Sequence, residues 1–285
     1  MVKIFKVMFM AALVLYAGLC MAKEKKSDPQ LVQTLMIKSG LNKQLEQLAP
    51  MVQTSISQQN QGANALSADE LDMLSGMAAE AFDAKALKDK VQRHIQTNLP
   101  ETDIRAALAW LNSPLGAKIT KLEEDASTPA AYEEMQKLGS QLTGNAGRVD
   151  LIRKLDNASK ATETAVAVML NTQMALIAAL TSGVPPEKRP TIENIEKEVL
   201  KNKGQIQSAV EQATLLTLLY TYRSLSNAEI GKYIDFARSA SGKKYNTVTS
   251  EAVTAAVTNA AHVLGSLIAE NAVKKATDEP GKQDI

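Results

Sequence analysis

The chain is 285 residues long, with 32 Lys and Arg against 31 Asp and Glu, 45% apolar side chains, 4% aromatics and one cysteine. A balanced charge with no strongly basic block argues against a nucleic-acid partner or an anionic membrane surface. A lone cysteine excludes an internal disulfide, and the abundance of alanine, leucine, glutamine and lysine without alternating apolar patterns points to an all-α fold.

Met1–Ala22 reads as a secretory signal peptide: Lys3 and Lys6 form a basic start, Val7–Leu19 is an apolar run of thirteen, and Cys20-Met21-Ala22 offers small residues for a cut before Lys23. A bilayer span needs roughly 20 apolar residues, more than this run provides. The alternatives are an uncleaved anchor and a lipoprotein acylated at Cys20, the latter set back by Leu19 where a small residue is wanted. Cleavage after Ala22 removes the only cysteine and leaves 30 basic against 31 acidic side chains. Roughly 260 residues bury a core without covalent staples.

Lys23–Asp28 reads as a charged linker, followed by a helical stretch over Leu31–Gln59 with breaks expected near Gly40 and Pro50. Ser67 and Glu70 form a capping-box pattern that opens the next helix, and Leu71, Leu74, Ala78, Ala81 and Phe82 then recur at helical spacing. Leu87, Val91 and Ile95 continue that spacing toward Leu99. Leu99–Ile119 then aligns without gaps on Leu225–Tyr245, 126 residues later, with Leu99/Leu225, Ile104/Ile230, Ser113/Ser239, Gly116/Gly242 and Lys118/Lys244 identical. Trp110/Phe236, Leu108/Ile234 and Asp103/Glu229 are replaced in kind. Such a repeat implies two like-folded helical modules, set at 29–144 and 148–276, with a seam in the glycine-bearing stretch Gly139–Arg148 and a disordered tail over 277–285.

Within the first copy, Ile104, Leu108, Leu111 and Leu115 share one helical face, and Pro114 predicts a stop at Ser113 with Ser113 capping the restart. Ala240 replaces that proline in the second copy, so its bend is expected to be shallower, or the helix to run through. Leu151–Leu155 resembles Leu31–Leu35 at an offset of 120, which places a short insertion near Pro185–Pro190. Ala165–Leu180, apolar except at Asn171, Thr172 and Gln173, reads as a central helix surrounded by others. Val253, Val257, Ala260, Leu264, Leu267 and Asn271 form the cleanest seam, with alanines that let a partner helix come close.

No motif for catalysis, a cofactor or a metal emerges. His94 and His262 lack neighbours at ligand spacing, and phosphate-cradling and dinucleotide patterns are missing. Ser241 and Lys244 match a Ser-x-x-Lys spacing, but no companion motif accompanies them. The eight repeated signature residues Trp110, Ser113, Gly116, Lys118, Phe236, Ser239, Gly242 and Lys244 are the candidate site, with packing as the first role and recognition as the second.

Trp110-Leu111-Asn112-Ser113-Pro114-Leu115-Gly116-Ala117-Lys118 resembles the aromatic-x-x-Ser-Pro-x-Gly-x-Lys signature of the bacterial "domain of unknown function 2059" family. Leu66–Leu71 and Leu225–Ile230 resemble that family's helix-opening motif; the second copy departs at Phe236 and Ala240. The resemblance implies an exported, all-helical protein of the Gram-negative periplasm and carries over no activity, cofactor or catalytic residue. The expected function is non-enzymatic, binding a protein or peptide partner in the cell envelope, without nucleic acid or an integral membrane span after cleavage, and with the oligomeric state open. The alternative is a carrier of an apolar small molecule or lipid between the modules, lined by Met169–Leu180 and Leu215–Leu219.

Overall fold

The computed structural model describes residues 26–60, 66–184, 188–201 and 203–278, all of them helix or short connection with no strand among them. The leader Met1–Ala22, residues 279–285 of the tail and part of the Pro185–Pro190 loop lie outside the described residues. In chain order the helices are α1 Pro29–Lys38, α2 Leu41–Gln59, α3 Ala68–Ala81, α4 Ala84–Asn98, α5 Glu101–Leu111, α6 Pro114–Ala126 and α7 Pro129–Leu142. They continue with α8 Ala146–Ser159, α9 Ala161–Leu180, α10 Ile192–Lys201, α11 Lys203–Thr221, α12 Asn227–Arg238 and α13 Ala240–Asp278.

Local chemistry sets most boundaries. Both capping boxes form: the Ser67 hydroxyl accepts from the Glu70 N–H, and Ser226 accepts from Glu229 in the same way. Asp83, whose carboxylate accepts from the Ala86 N–H at 2.8 Å, separates α3 from α4 where apolar spacing alone runs on. Pro50 does not break α2, whereas Gly40, at φ +72°, does separate α1 from α2. The linker ends early: Ser27 is buried, its hydroxyl donating to the Leu99 carbonyl at 2.6 Å, and Asp28 caps α1.

Helices of the two halves occur at matching offsets. The offset of 120 takes α1 to α8 and α2 to α9; the offset of 126 takes α5 to α12 and the start of α6 to the start of α13. The positive-φ positions among the described residues, Gly40 and Lys160, are themselves 120 apart. Lysine tolerates this conformation here because the Asp156 carboxylate grips the start of α9, accepting from the Thr162 N–H and hydroxyl, both at 2.8 Å.

The helix after each signature break serves the other half. α13 contributes Val248, Ala252, Ala256, Val257, Ala260 and Leu264 to a core otherwise built from α1 to α5, including Val32, Leu35, Val91, Ile95 and Ile104. Reciprocally, Ile119 of α6 joins Ile152 and Leu155 of α8, Leu219 of α11, Tyr222, Leu225, and Ile230 and Ile234 of α12 in a second core. The break at Ser113 therefore divides the expected Ile104–Leu108–Leu111–Leu115 face: the first three lie in the first core, while Leu115 packs on the second.

α9 departs from the expectation of a surrounded helix. It lies along one side of α13, with α10 and α11 beyond it, and only Leu170 and Ala179 are buried. α9 and α13 are the described helices long and apolar enough to cross a membrane, by length and composition alone; 17% of that apolar window is buried in α9 and 44% in α13. Most of the larger apolar side chains of α9 are only partly covered, Val166, Met174 and Ile177 packing on a small cluster of Leu170, Ile195 and Val199. Its approach to α13 is close: a Cβ on Gly265 would stand 2.6 Å from the Ala179 Cβ.

Candidate functional site

The eight signature residues gather at the junction of the halves. Trp110 at the end of α5 and Phe236 at the end of α12 stack face to face, with ring centroids 4.8 Å apart and planes 7° from parallel. Tyr233 extends the stack from Trp110 at 5.9 Å, and Tyr245 adjoins Phe236 at 6.4 Å. Trp110 packs against both cores, so the rings occupy one another's faces.

The serines and glycines build the two breaks with the same geometry. Ser113 (ψ 154°) and Ser239 (ψ 159°) both turn extended, and each hydroxyl accepts from the glycine N–H three residues on at 3.0 Å. The helix therefore stops at Ser239 without a proline, because the capping hydroxyl suffices. The break folds each new helix against the end of the previous one. A Cβ on Gly116 would lie 2.1 Å from the Trp110 carbonyl oxygen, and on Gly242 2.0 Å from that of Phe236, so only glycine fits.

Lys118 of α6 donates to Glu229 of α12 at 2.8 Å. That bond and those to the Ser226 N–H and hydroxyl hold the Glu229 carboxyl down at about 2. The aligned acid Asp103 on α5 is also met from the other half, by the Ser241 hydroxyl of α13 at 2.6 Å. Ser241 is thus a tie between helices in the resting fold, not a hydroxyl presented to its Lys244 neighbour. Lys244 is exposed and makes no ion pair among the described residues.

Sequence reasoning missed a buried carboxyl. Glu123 of α6 accepts from the Tyr222 hydroxyl at 2.7 Å and from the Tyr233 hydroxyl at 3.2 Å. Burial raises its pKa against the opposing pull of the two phenols, and burial likewise pushes both tyrosines well above their usual range. Nothing local marks Glu123 within the acidic run Glu123-Glu124-Asp125. Its outer neighbour Glu124 pairs instead with Lys43.

A second feature lies away from the signature. An open groove of about 760 Å³ follows the α9–α13 pair, lined by Ala167, Asn171 and Ala175 of α9 and by Thr254, Thr258 and Asn259 of α13. Lys90 from α4, Lys160, Glu163 and Glu251 supply two charges of each sign, and no aromatic residue stands among the described lining. The Thr258 hydroxyl is buried without a hydrogen-bond partner among the described residues. His262 also lines the groove, whereas His94 faces Glu251 at 3.7 Å; no group of three or more potential metal ligands occurs among the described residues. Only the midpoint of this groove, Asn171 interrupting an apolar run, was visible as an anomaly in the sequence.

Residues 85–144 match the family described as "Uncharacterized protein conserved in bacteria (DUF2059)", a stretch that takes in α4 to α7 and the first signature. No curated protein and no solved structure matches the chain.

Proposed function

We propose that this is an exported, non-catalytic helical protein of the bacterial cell envelope that binds a protein or peptide partner along the α9–α13 groove. The groove carries this reading: its volume of about 760 Å³ is that of a binding site, and its open, mixed surface of alanine, threonine and asparagine suits a polypeptide. The leader pattern over Met1–Ala22 supports export, and the match to a family conserved in bacteria supports a bacterial envelope as its setting. In the same proposal the two halves descend from one duplicated unit, whose signature locks them together. Support comes from the matching offsets, the twin serine caps and the Trp110–Phe236 stack. Because those rings face each other, recognition passes to the groove and the signature serves packing.

The alternative of an apolar carrier draws support from the sparsely buried α9, where Met169 is exposed and Met174, partly buried, packs against Leu170, Ile195 and Val199. The open shape of the groove and the asparagine and threonine side chains among its alanines favour the peptide reading over it. Site-specific photo-crosslinking in intact cells separates them. A crosslinker at Thr254 should give a discrete protein adduct that the same group at exposed Lys85 on α4 does not. Adducts with lipid only, or none from any groove position, would overturn the proposal.

A further inference from the structure

We infer that a second copy of this chain is a partner, and that the two copies bind by exchanging α13 about a hinge at Ser239. The inference stands apart from what occupies the groove. α13 is the last of the described helices in chain order, and it follows α12 with Ser239 alone between them. Beyond that hinge it supplies Val248, Ala252, Ala256, Ala260 and Leu264 to the first core. A core completed by such an element is completed equally well by the same element of another copy. The contacts are identical in both arrangements, and only the hinge and the concentration decide between them.

The two breaks differ in what they permit. Pro114 has no N–H to give to the Trp110 carbonyl, and its ring disfavours helical geometry at Ser113, so α5 and α6 are held apart. Ala240 imposes neither restriction. Its N–H and that of Ser241 meet no acceptor among the described residues. In a continued helix they would donate to the Phe236 and Ala237 carbonyls one turn back. Ser239 and Ala240 are exposed, so a change of backbone there draws no buried side chain into water. Straightened, α12 and α13 become one helix from Asn227 to Asp278, about 78 Å long, which carries α13 away from its own Val91, Ile95 and Ile104. Two straightened copies restore those contacts reciprocally. Opposing the change are the Ser239 cap on the Gly242 N–H at 3.0 Å and the poor helix propensity of Gly242, so the bent monomer prevails when the chain is dilute. Because α9 lies along α13, each α9–α13 trough of the exchanged dimer is built from both copies.

The test uses the chain after Ala22, which contains no cysteine, unfolded in urea and then refolded. Refolding at about 1 and about 500 µM is followed by chromatography with light scattering. A dimer should form at the higher concentration and, once isolated, should persist on dilution, because exchange back requires the first core to open. Ala240→Pro, which places proline at the first helical position, should melt no lower than the parent and cut the dimer share at least about fivefold. The Thr164 and Ser250 hydroxyls, 2.5 Å apart across α9 and α13, report which copy supplies α13. Thr164→Cys and Ser250→Cys proteins, refolded together and mildly oxidised, should give a disulfide between unlike copies in the dimer fraction alone. A chain that stays monomeric at both concentrations, a dimer without the mixed disulfide, or an Ala240→Pro chain that dimerises as readily as the parent would each overturn the inference.

Discussion

Trp110 and Phe236 can be tested as a coupled pair. Trp110 is half-buried, touches both cores and stacks on Phe236 at 4.8 Å and on Tyr233 at 5.9 Å. Truncating a well-buried tryptophan or phenylalanine to alanine costs about 3–5 kcal/mol; partial exposure puts Trp110→Ala and Phe236→Ala at about 2–3 kcal/mol each. Face-to-face contact beyond simple burial adds about 0.5–1.5 kcal/mol, so the double variant should cost less than the sum of the single ones by about 1 kcal/mol. Urea denaturation followed by far-UV circular dichroism gives all four stabilities. Trp110 is the only tryptophan, so its emission reports this junction, and Phe236→Leu should shift it to the red. Because α6 and α13 each complete the other half's core, every variant should still unfold in one transition. Additivity within about 0.3 kcal/mol, or separate transitions for the two halves, would refute the idea that the stacked rings couple them.

Gly116→Ala and Gly242→Ala each force a Cβ against a carbonyl oxygen at 2.1 and 2.0 Å, and should cost about 1–3 kcal/mol or more. Gly231→Ala in α12, where a Cβ meets nothing within 4 Å, should instead stabilise by about 0.5–1 kcal/mol; thermal melts compare the three. Glu229 ionises at about 2, below its ordinary 4.5, so its tie to Lys118 contributes fully above pH 4.5 and fades as the pH falls toward 2. Lys118→Met should flatten that acid limb in urea titrations across pH. Glu123 has the opposite sign: its raised pKa favours the protonated form, and its contribution is complete below pH 4.5 and lost as the pH rises through the raised value. Glu123→Gln should therefore match the parent in acid and exceed it at neutral pH. A chain of residues 26–142 lacks α13, so it should be either unfolded or a dimer in which each α6 covers the other copy's Val91, Ile95 and Ile104; a folded monomer in light scattering would contradict the helix exchange.

What the sequence made legible is what depends on neighbours a few residues away. The capping boxes at Ser67 and Ser226, the stop at Ser113 and the break at Gly40 all follow from side chains reaching their own backbone or from glycine's reach into positive φ. The break at Ser239 is harder to read because proline is the louder signal, although the hydroxyl is what both breaks share. Lys160 at φ 61° carries no advertisement at all; Asp156 holds it, and only the folded chain reveals that. The exchange of α6 and α13 between cores lies further still from local view. Apolar spacing tells which face of a helix is buried and is silent about which half buries it.

The groove arises where the two halves differ. In the first half α2 starts beside α6, pairing Lys43 with Glu124, but the chain turns at Ser127 and Thr128, and α7 leaves to pack on α11. In the second half no turn follows: α13 continues without interruption to Asp278 and keeps α9 alongside it, in register from Ser250 to Gly265. A long parallel pair with small residues at the contact leaves a continuous trough on its flank, and Asn171, Thr258 and Asn259 occupy it. The residues shared by the two breaks hold the scaffold, and the helix that runs on unbroken after the second of them, α13, is the one that carries the groove.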